Sequence, residues 1–258
     1  MPSTRTRVYR TGDTVVRAGG AWSSSVLAFL RHLERTGFDG SPRVVGAGFD
    51  AEGRETLTYL EGESVHPNSW SDAGIAALGR MLRRLHDAGR DFTPPPGAVW
   101  QPWFTRSDGP DSVYGHGDLG PWNIVAVDGL PVGFIDWEFA GPVDRLDEVA
   151  QAAWLNAQLH DDIVAERNHL PPAEARAHQL RLFVDAYDLD GAGRSQLVSR
   201  MIDHAVRDAA NELDQSDPLE MAKRPTGPDD PGWAVAWRIR SAAWLVTHRS
   251  LLEGATGR

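Results

Sequence analysis

The sequence predicts an α+β protein in two lobes, a small β-rich lobe over residues 1–62 and a larger helical lobe over residues 63–258. Three observations carry that prediction. Before Gly62, short β-branched runs alternate with turn signals around one helical pattern. Past about residue 145, apolar residues recur almost everywhere with helical spacing. Between the two lies a loop rich in Pro, Gly and Asp that leads into a single hairpin pattern.

The elements follow in order. Val8-Tyr9-Arg10 and Thr14-Val15-Val16-Arg17 flank Gly12-Asp13 and read as a hairpin. Val26, Leu27, Leu30 and Leu33 place one face on a helix from Ser23 to Arg35, with Ser23 or Ser24 as its cap and Gly37 past its end. Arg43–Gly46 and Glu55–Leu60 flank a polar turn and form a second hairpin. Ile75, Leu78, Leu82 and Leu85 mark an amphipathic helix ending near Gly89. Residues 93–113 read as a long loop, and Asp128-Gly129 as the turn of a hairpin pairing 123–127 with 132–136. Helices are expected at about 145–160, 172–188, 195–214 and 231–253, with loops at Pro171, Pro218 and Pro228.

Composition narrows the function classes. Hydrophobic residues are 41% and charged residues 24%, enough for a sizeable core. With no cysteine, disulfides, thiolate metal sites and cysteine nucleophiles are excluded. A formal net charge of −10 argues against nucleic acid as partner and is compatible with a cationic small-molecule substrate. The N-terminus has no apolar signal core and no run approaches the length of a membrane span, so a cytoplasmic protein is expected. Monomer and homodimer both stay open. Only one of the 26 basic residues, Lys223, is a lysine.

The segment that carries chemistry is YGHGDLGPWNIVAVDGLPVGFIDWE, residues 114–138. Phosphoryl transfer needs a carboxylate to orient or deprotonate a hydroxyl and oxygen donors to place a divalent metal on phosphates. Asp118 can take the hydroxyl proton, Asn123 offers an amide oxygen, and Asp136 is returned beside it by the hairpin. His116 reads as a brace for the loop. A polar loop and hairpin without catalysis is the alternative.

His116-Gly117-Asp118 through Asn123, followed by Ile135-Asp136-Trp137-Glu138, resembles the aminoglycoside phosphotransferase family, the small-molecule branch of the protein-kinase-like fold. Protein kinases carry H-R-D-x-x-x-x-N and then D-F-G. Leu82–His86 is similar to the family's L-x-x-L-H helix end, and Ala140-Gly141-Pro142 to its Gly-x-Pro turn. The resemblance implies a Mg2+-dependent phosphotransferase using ATP or GTP, with Asp118 and His116 in the catalytic loop and Asn123 and Asp136 on the metal. It makes Thr58, Tyr59 and Leu60 the inter-lobe hinge that pairs with a purine edge. It also makes Arg17 the phosphate contact, in place of the usual strand lysine, and Glu34 on the following helix its carboxylate partner.

The chain departs from the family's pattern at three places. Arginine replaces the lysine, Glu148 stands where an Asp is usual, and no glycine-rich loop precedes Arg10, so a shortened small lobe is expected. These departures motivate the alternative of a non-catalytic, pseudokinase-like nucleotide or small-molecule binder on the same fold. The family's acceptors include aminoglycosides and other hydroxylated or cationic metabolites. Glu138, Asp144, Asp161, Asp162 and the run 211–220 are the acidic residues available to a cationic acceptor, and Trp122, Trp137 and Trp154 the residues for an apolar floor.

Overall fold

The computed structural model describes residues 8–215 and 231–257, so residues 216–220 of the acidic run, Pro218 and Pro228 lie outside it. A four-stranded antiparallel sheet opens the chain. Strands β1 (Val8–Thr11) and β2 (Thr14–Arg17) form the first hairpin, and β3 (Val44–Phe49) and β4 (Glu55–Thr58) the second, in the order β1-β2-β4-β3. The last strand in sequence is therefore central beside β2, with Thr14 opposite Thr58 and Arg17 opposite Glu55. β4 stops two residues earlier than the sequence suggests, because its partner β2 begins only at Thr14; the Tyr59 N–H donates in register to the Asp13 carbonyl of the turn before it (2.7 Å).

Helix α1 (Ser23–Arg35) joins the two hairpins and buries Val26, Leu27, Phe29, Leu30 and Leu33. Its N-cap is Trp22 with no side-chain cap, since the Ser23 hydroxyl instead accepts from the Gly20 N–H at 2.9 Å. Helix α2 (Asp72–Arg90) is capped by Ser71, whose side chain accepts from the Gly74 N–H at 3.1 Å. Its face of Ile75, Leu78, Leu82 and Leu85 is fully buried, about 1.5–3 kcal/mol for each such side chain.

Two small ribbons carry the functional loops. β5 (Ser112–Gly115) pairs with β8 (Gly141–Asp144), while β6 (Ile124–Val127) and β7 (Leu130–Phe134) form a hairpin closed by Asp128 (φ 51°) and Gly129 (φ 74°). The remaining chain is helical: α3 (Arg145–Asn156), α4 (Asp162–Arg167), α5 (Ala173–Tyr187), α6 (Gly191–Gln215), α7 (Pro231–Thr247) and α8 (Arg249–Thr256). The expected helix over 231–253 is thus two, divided at His248. One core runs from α1 through α2 and the β6–β7 hairpin to α3 and α5, with Phe29, Phe134, Trp137, Trp154 and Phe183 at its centre. Among the described residues, no helix is long and apolar enough to cross a membrane.

Candidate active site

Strand β5 delivers the chain into the loop His116–Asn123. His116 is fully buried; its Nε2 donates to the Ile135 carbonyl (2.8 Å) and its Nδ1 accepts from the Asp118 N–H (3.3 Å). That pattern describes a neutral imidazole, and burial pushes its pKa down accordingly. The ring ties the loop to the end of β7. Gly117 has φ 84°, and a Cβ there would sit 2.2 Å from the Phe139 carbonyl oxygen, so the residue between His116 and Asp118 has to be glycine.

Asp118 is partly buried, and the Asn123 amide Nδ2 donates both to its carbonyl (3.0 Å) and to Oδ2 of its carboxylate (2.9 Å). Burial, then the charges of Asp208 and Asp136, push the Asp118 carboxyl up to about 7, against the Asn123 hydrogen bond and the charge of Arg238. A carboxyl poised near neutrality suits a group that accepts a proton from a hydroxyl.

Helix α3 holds this loop from beneath. Glu148 Oε1 accepts from the Gly117 N–H (2.5 Å), and its Oε2 pairs with His86 Nε2 (2.6 Å), whose Nδ1 meets the Tyr187 hydroxyl (2.7 Å). Burial opposes the Glu148 charge, but His86, the Gly117 N–H and His116 outweigh it and hold the carboxyl below its usual range. One turn on, Gln151 Oε1 accepts from the Leu119 N–H, and Asn156 Nδ2 donates to the Leu119 carbonyl, both at 2.9 Å. The departure at Glu148 is therefore accommodated. The longer side chain fits because residue 115 is glycine; a Cβ there would lie 2.1 Å from Glu148 Oε2.

Asn123 immediately precedes β6 and Asp136 lies just past β7, and the Ile135 N–H donates to the Asn123 carbonyl at 2.9 Å. The two residues flank one open end of the hairpin. Asp136 adopts the left-handed conformation (φ 62°), uncommon outside glycine, and its side chain is half-exposed. Its Oδ1 accepts from Arg17 Nη1 at 2.6 Å, while Arg17 Nε donates to Glu55 Oε2 at 2.7 Å. Burial opposes the guanidinium charge, but Glu55, Asp136 and Glu138 together raise its pKa.

The expected pairing of Arg17 with Glu34 is corrected here. Glu34 is exposed in the last turn of α1, whereas Glu55 is directly opposite Arg17 in the sheet and buried. Sheet order, which places β4 beside β2, decides the partner. Thr58, Tyr59 and Leu60 line a cleft of about 330 Å³ together with Arg17, Asn123 and Asp136. The Thr58 N–H donates to the Arg43 carbonyl and the Tyr59 N–H to the Asp13 carbonyl.

The donor set fits a hard divalent ion. Asn123 spends both hydrogens of its single amide nitrogen on Asp118, leaving its oxygen, and Asp136 supplies a carboxylate. Among the described residues no group of three or more His, Cys, Asp or Glu could hold a metal alone. Magnesium commonly takes one or two protein oxygens and completes its shell with phosphates and water. Arg17 Nη2 and Glu55 Oε1 are buried without a hydrogen-bond partner. An orphaned guanidinium donor at the cleft is a phosphate-compatible feature.

Among the described residues, three of the acids envisaged for a cationic acceptor serve other roles. Asp144 and Asp161 cap α3 and α4, Asp162 accepts from the Trp244 indole (3.1 Å), and Asp161 also pairs with Arg240. Glu138 is drawn toward Asp136 and Arg17, with its carboxyl raised by burial and by Asp136. Trp137 and Trp154 are buried in the core; Trp122 alone of the three is 40% exposed, in the cleft. The residues that sequence reasoning missed are Glu55, Gln151, Asn156, Asp208 and Arg238. Gln151 and Asn156 did carry a signal, as polar residues on an alanine-rich helix buried from Asp147 to Asn156.

Comparison with known proteins places this geometry. The chain is 52% identical over 253 residues, 97% of its length and 95% of the relative's, to the trifolitoxin immunity protein of Rhizobium leguminosarum bv. trifolii. Its fold is shared with an amicoumacin kinase solved with AMP-PNP and Ca2+ (TM-score 0.65, 12% identity, 94% of this chain and 89% of that one). A microcompartment-associated aminopropanol kinase is similar in the same way (TM-score 0.60, 14% identity, 99% and 95% covered). The sequence model described as the phosphotransferase enzyme family matches residues 97–180, the segment that carries His116, Asp118, Asn123 and Asp136. The chain therefore belongs to one family with the trifolitoxin immunity protein, and its stretch 97–180 matches the phosphotransferase enzyme family.

Proposed function

We infer that the protein transfers the terminal phosphoryl group of ATP or GTP, with Mg2+, to a hydroxyl of a small molecule. The observation that carries this reading is Asp118, near-neutral and hydrogen-bonded to Asn123, which itself lines the hinge-lined cleft. Asp118 accepts the hydroxyl proton and aims the oxygen; Asn123 and Asp136 would hold the metal. When bound, the metal neutralises charge on the transferring phosphoryl group. Arg17, steadied by Glu55, contacts phosphate, and Leu60 with the carbonyls of the hinge receives the base. His116 and Glu148 keep the loop in place. Residues 1–62 form the nucleotide-facing lobe and 63–258 the acceptor-facing one, working in the cytoplasm where the nucleotide is.

The relative's name adds a biological setting: phosphorylation of a toxin's hydroxyl would confer immunity on the cell that makes the enzyme. The test is expression in a trifolitoxin-sensitive strain alongside an in vitro assay of nucleoside diphosphate release with the toxin as acceptor. Wild type should protect and turn over, and Asp118→Asn should do neither while still binding nucleotide. Undiminished protection by Asp118→Asn would instead establish immunity by binding, on a scaffold whose Arg17–Asp136 ion pair occupies the metal-side carboxylate.

A further inference from the structure

A second cavity, of about 680 Å³, opens on the other side of Trp122 between the catalytic loop and α7. Its size suits a drug-sized ligand. Its wall is aromatic: Trp122 from the loop, His66 edge-on to it (ring centroids 5.7 Å apart), and Trp233 and Trp237 from α7 with His160 edge-on to Trp237 (5.4 Å). Burial lowers the pKa of both histidines, that of His160 to about 3.

The charges at this wall do not suit a polycation. Two arginines, Arg167 and Arg238, face one glutamate, Glu212. Arg238 is itself paired with Asp208 (2.6 Å) and Glu212 (3.1 Å), so among the described residues the one glutamate that lines the cavity is already engaged by the protein. Nor is the wall an ammonium cage, which would need open aromatic faces. Arg167 lies 5.3 Å over Trp233 and Arg238 4.5 Å over Trp237, while Trp154 stacks on Trp237 at 5.5 Å. Trp122, 40% exposed with Gly120 beneath its ring, keeps an accessible face next to the loop that carries Asp118.

We propose that this cavity selects acceptors that carry an aromatic or heteroaromatic ring beside the reacting hydroxyl and little positive charge, and that it discriminates against polycationic amino sugars. The inference rests on the phosphotransferase reading for the word acceptor, but the binding preference stands or falls separately. The ring packs on the open face of Trp122, with the partly exposed Trp233 at the opposite wall of the cavity, which brings its hydroxyl substituent toward Asp118.

Saturation-transfer difference NMR on the full chain without nucleotide reads the preference as binding alone. The probes are tyrosol, an N-acetyl serine–tryptophan amide and kanamycin. Tyrosol and the peptide amide are expected to receive saturation and kanamycin to receive none; the stronger of the first two tells whether the ring is free or carried on a peptide. Trp233→Leu and Trp122→Leu should each weaken the aromatic probes by about two- to tenfold, with the melting temperature of the partly exposed Trp233→Leu variant as the control for folding. Kanamycin binding as well as the aromatic probes, silence from both aromatic probes, or aromatic binding unchanged in both variants would each overturn the proposal. Failure of the kinase reading shows differently, as aromatic binding intact in a protein that gives no magnesium-dependent response to nucleotide.

Discussion

On the helical side of the cleft the loop around Asp118 is tied by buried hydrogen bonds to α3, with Glu148, Gln151 and Asn156 each taking one backbone group and His116 fastening it to β7. On the sheet side Arg17 reaches across from β2 to a single strand partner and to Asp136, with Nη2 and Glu55 Oε1 left unpaired. The first region is complete before any ligand arrives; the second has polar capacity that a phosphate would satisfy. The contrast teaches where each half of the chemistry is stored. On the proposed reading, positioning of the base is folded in, whereas the nucleotide side would finish its hydrogen bonding on binding.

Substitutions can break that contrast. Asp118→Asn should lower kcat about a thousandfold with nucleotide affinity unchanged, measured by steady-state turnover and calorimetry. Glu148→Ala leaves His86 and the Gly117 N–H without a buried partner and should cost about 3 kcal/mol in chemical denaturation, with activity falling in step. Gly115→Ala should reproduce a milder form of that loss, about 1–3 kcal/mol, because its Cβ meets the Glu148 carboxylate.

A pH series sharpens the account of the helical side. The folded His160 pKa, about 3, lies below the ordinary value of 6.5, so on acidification the unfolded chain takes up a proton that the folded chain refuses. Its contribution is intact above pH 6.5 and is lost progressively down to about pH 3. Between pH 7 and 5 the loss should be about 1–2 kcal/mol, discounted for the partial exposure of the ring, and His160→Gln should flatten the profile.

On the sheet side, Arg17→Lys keeps the charge but gives up the fork, and nucleotide affinity should fall about tenfold with little change in melting temperature. Glu34→Gln should change neither affinity nor stability by more than about 0.5 kcal/mol, because Glu34 is exposed and away from Arg17. A large effect at Glu34 would restore the helix carboxylate as the partner and remove Glu55 from the account.

Much of the fold was legible because its signals are local. The two N-terminal hairpins, the apolar faces of α1 and α2, and the Asp128-Gly129 turn all come from neighbouring residues. So did the residues of the loop and hairpin, His116, Asp118, Asn123 and Asp136, which one turn brings to a common end. What escaped was non-local. β5 and β8 are four residues each, the first with only Val113 and Tyr114 as strand formers and the second beginning Gly141-Pro142, too short for alternation to register. Glu55 became the partner of Arg17 through strand order, which spacing along the chain does not reveal. Asp144 and Asp161, offered for a cationic substrate, are helix caps, and Asp161 also an ion-pair partner; composition cannot tell these roles apart.

The central claim is that a nucleotide–magnesium complex occupies the cleft between Arg17, Asn123 and Asp136. A thermal-shift titration with ATP and with GTP, each with and without Mg2+, in wild type and Asp136→Asn, tests it most directly. The account expects a magnesium-dependent rise in the wild type, equivalent to about 2.7 kcal/mol at a ligand concentration 100 times Kd, that is lost in Asp136→Asn. No rise with either nucleotide at millimolar concentration, or a rise indifferent to Mg2+ and to Asp136, would contradict it.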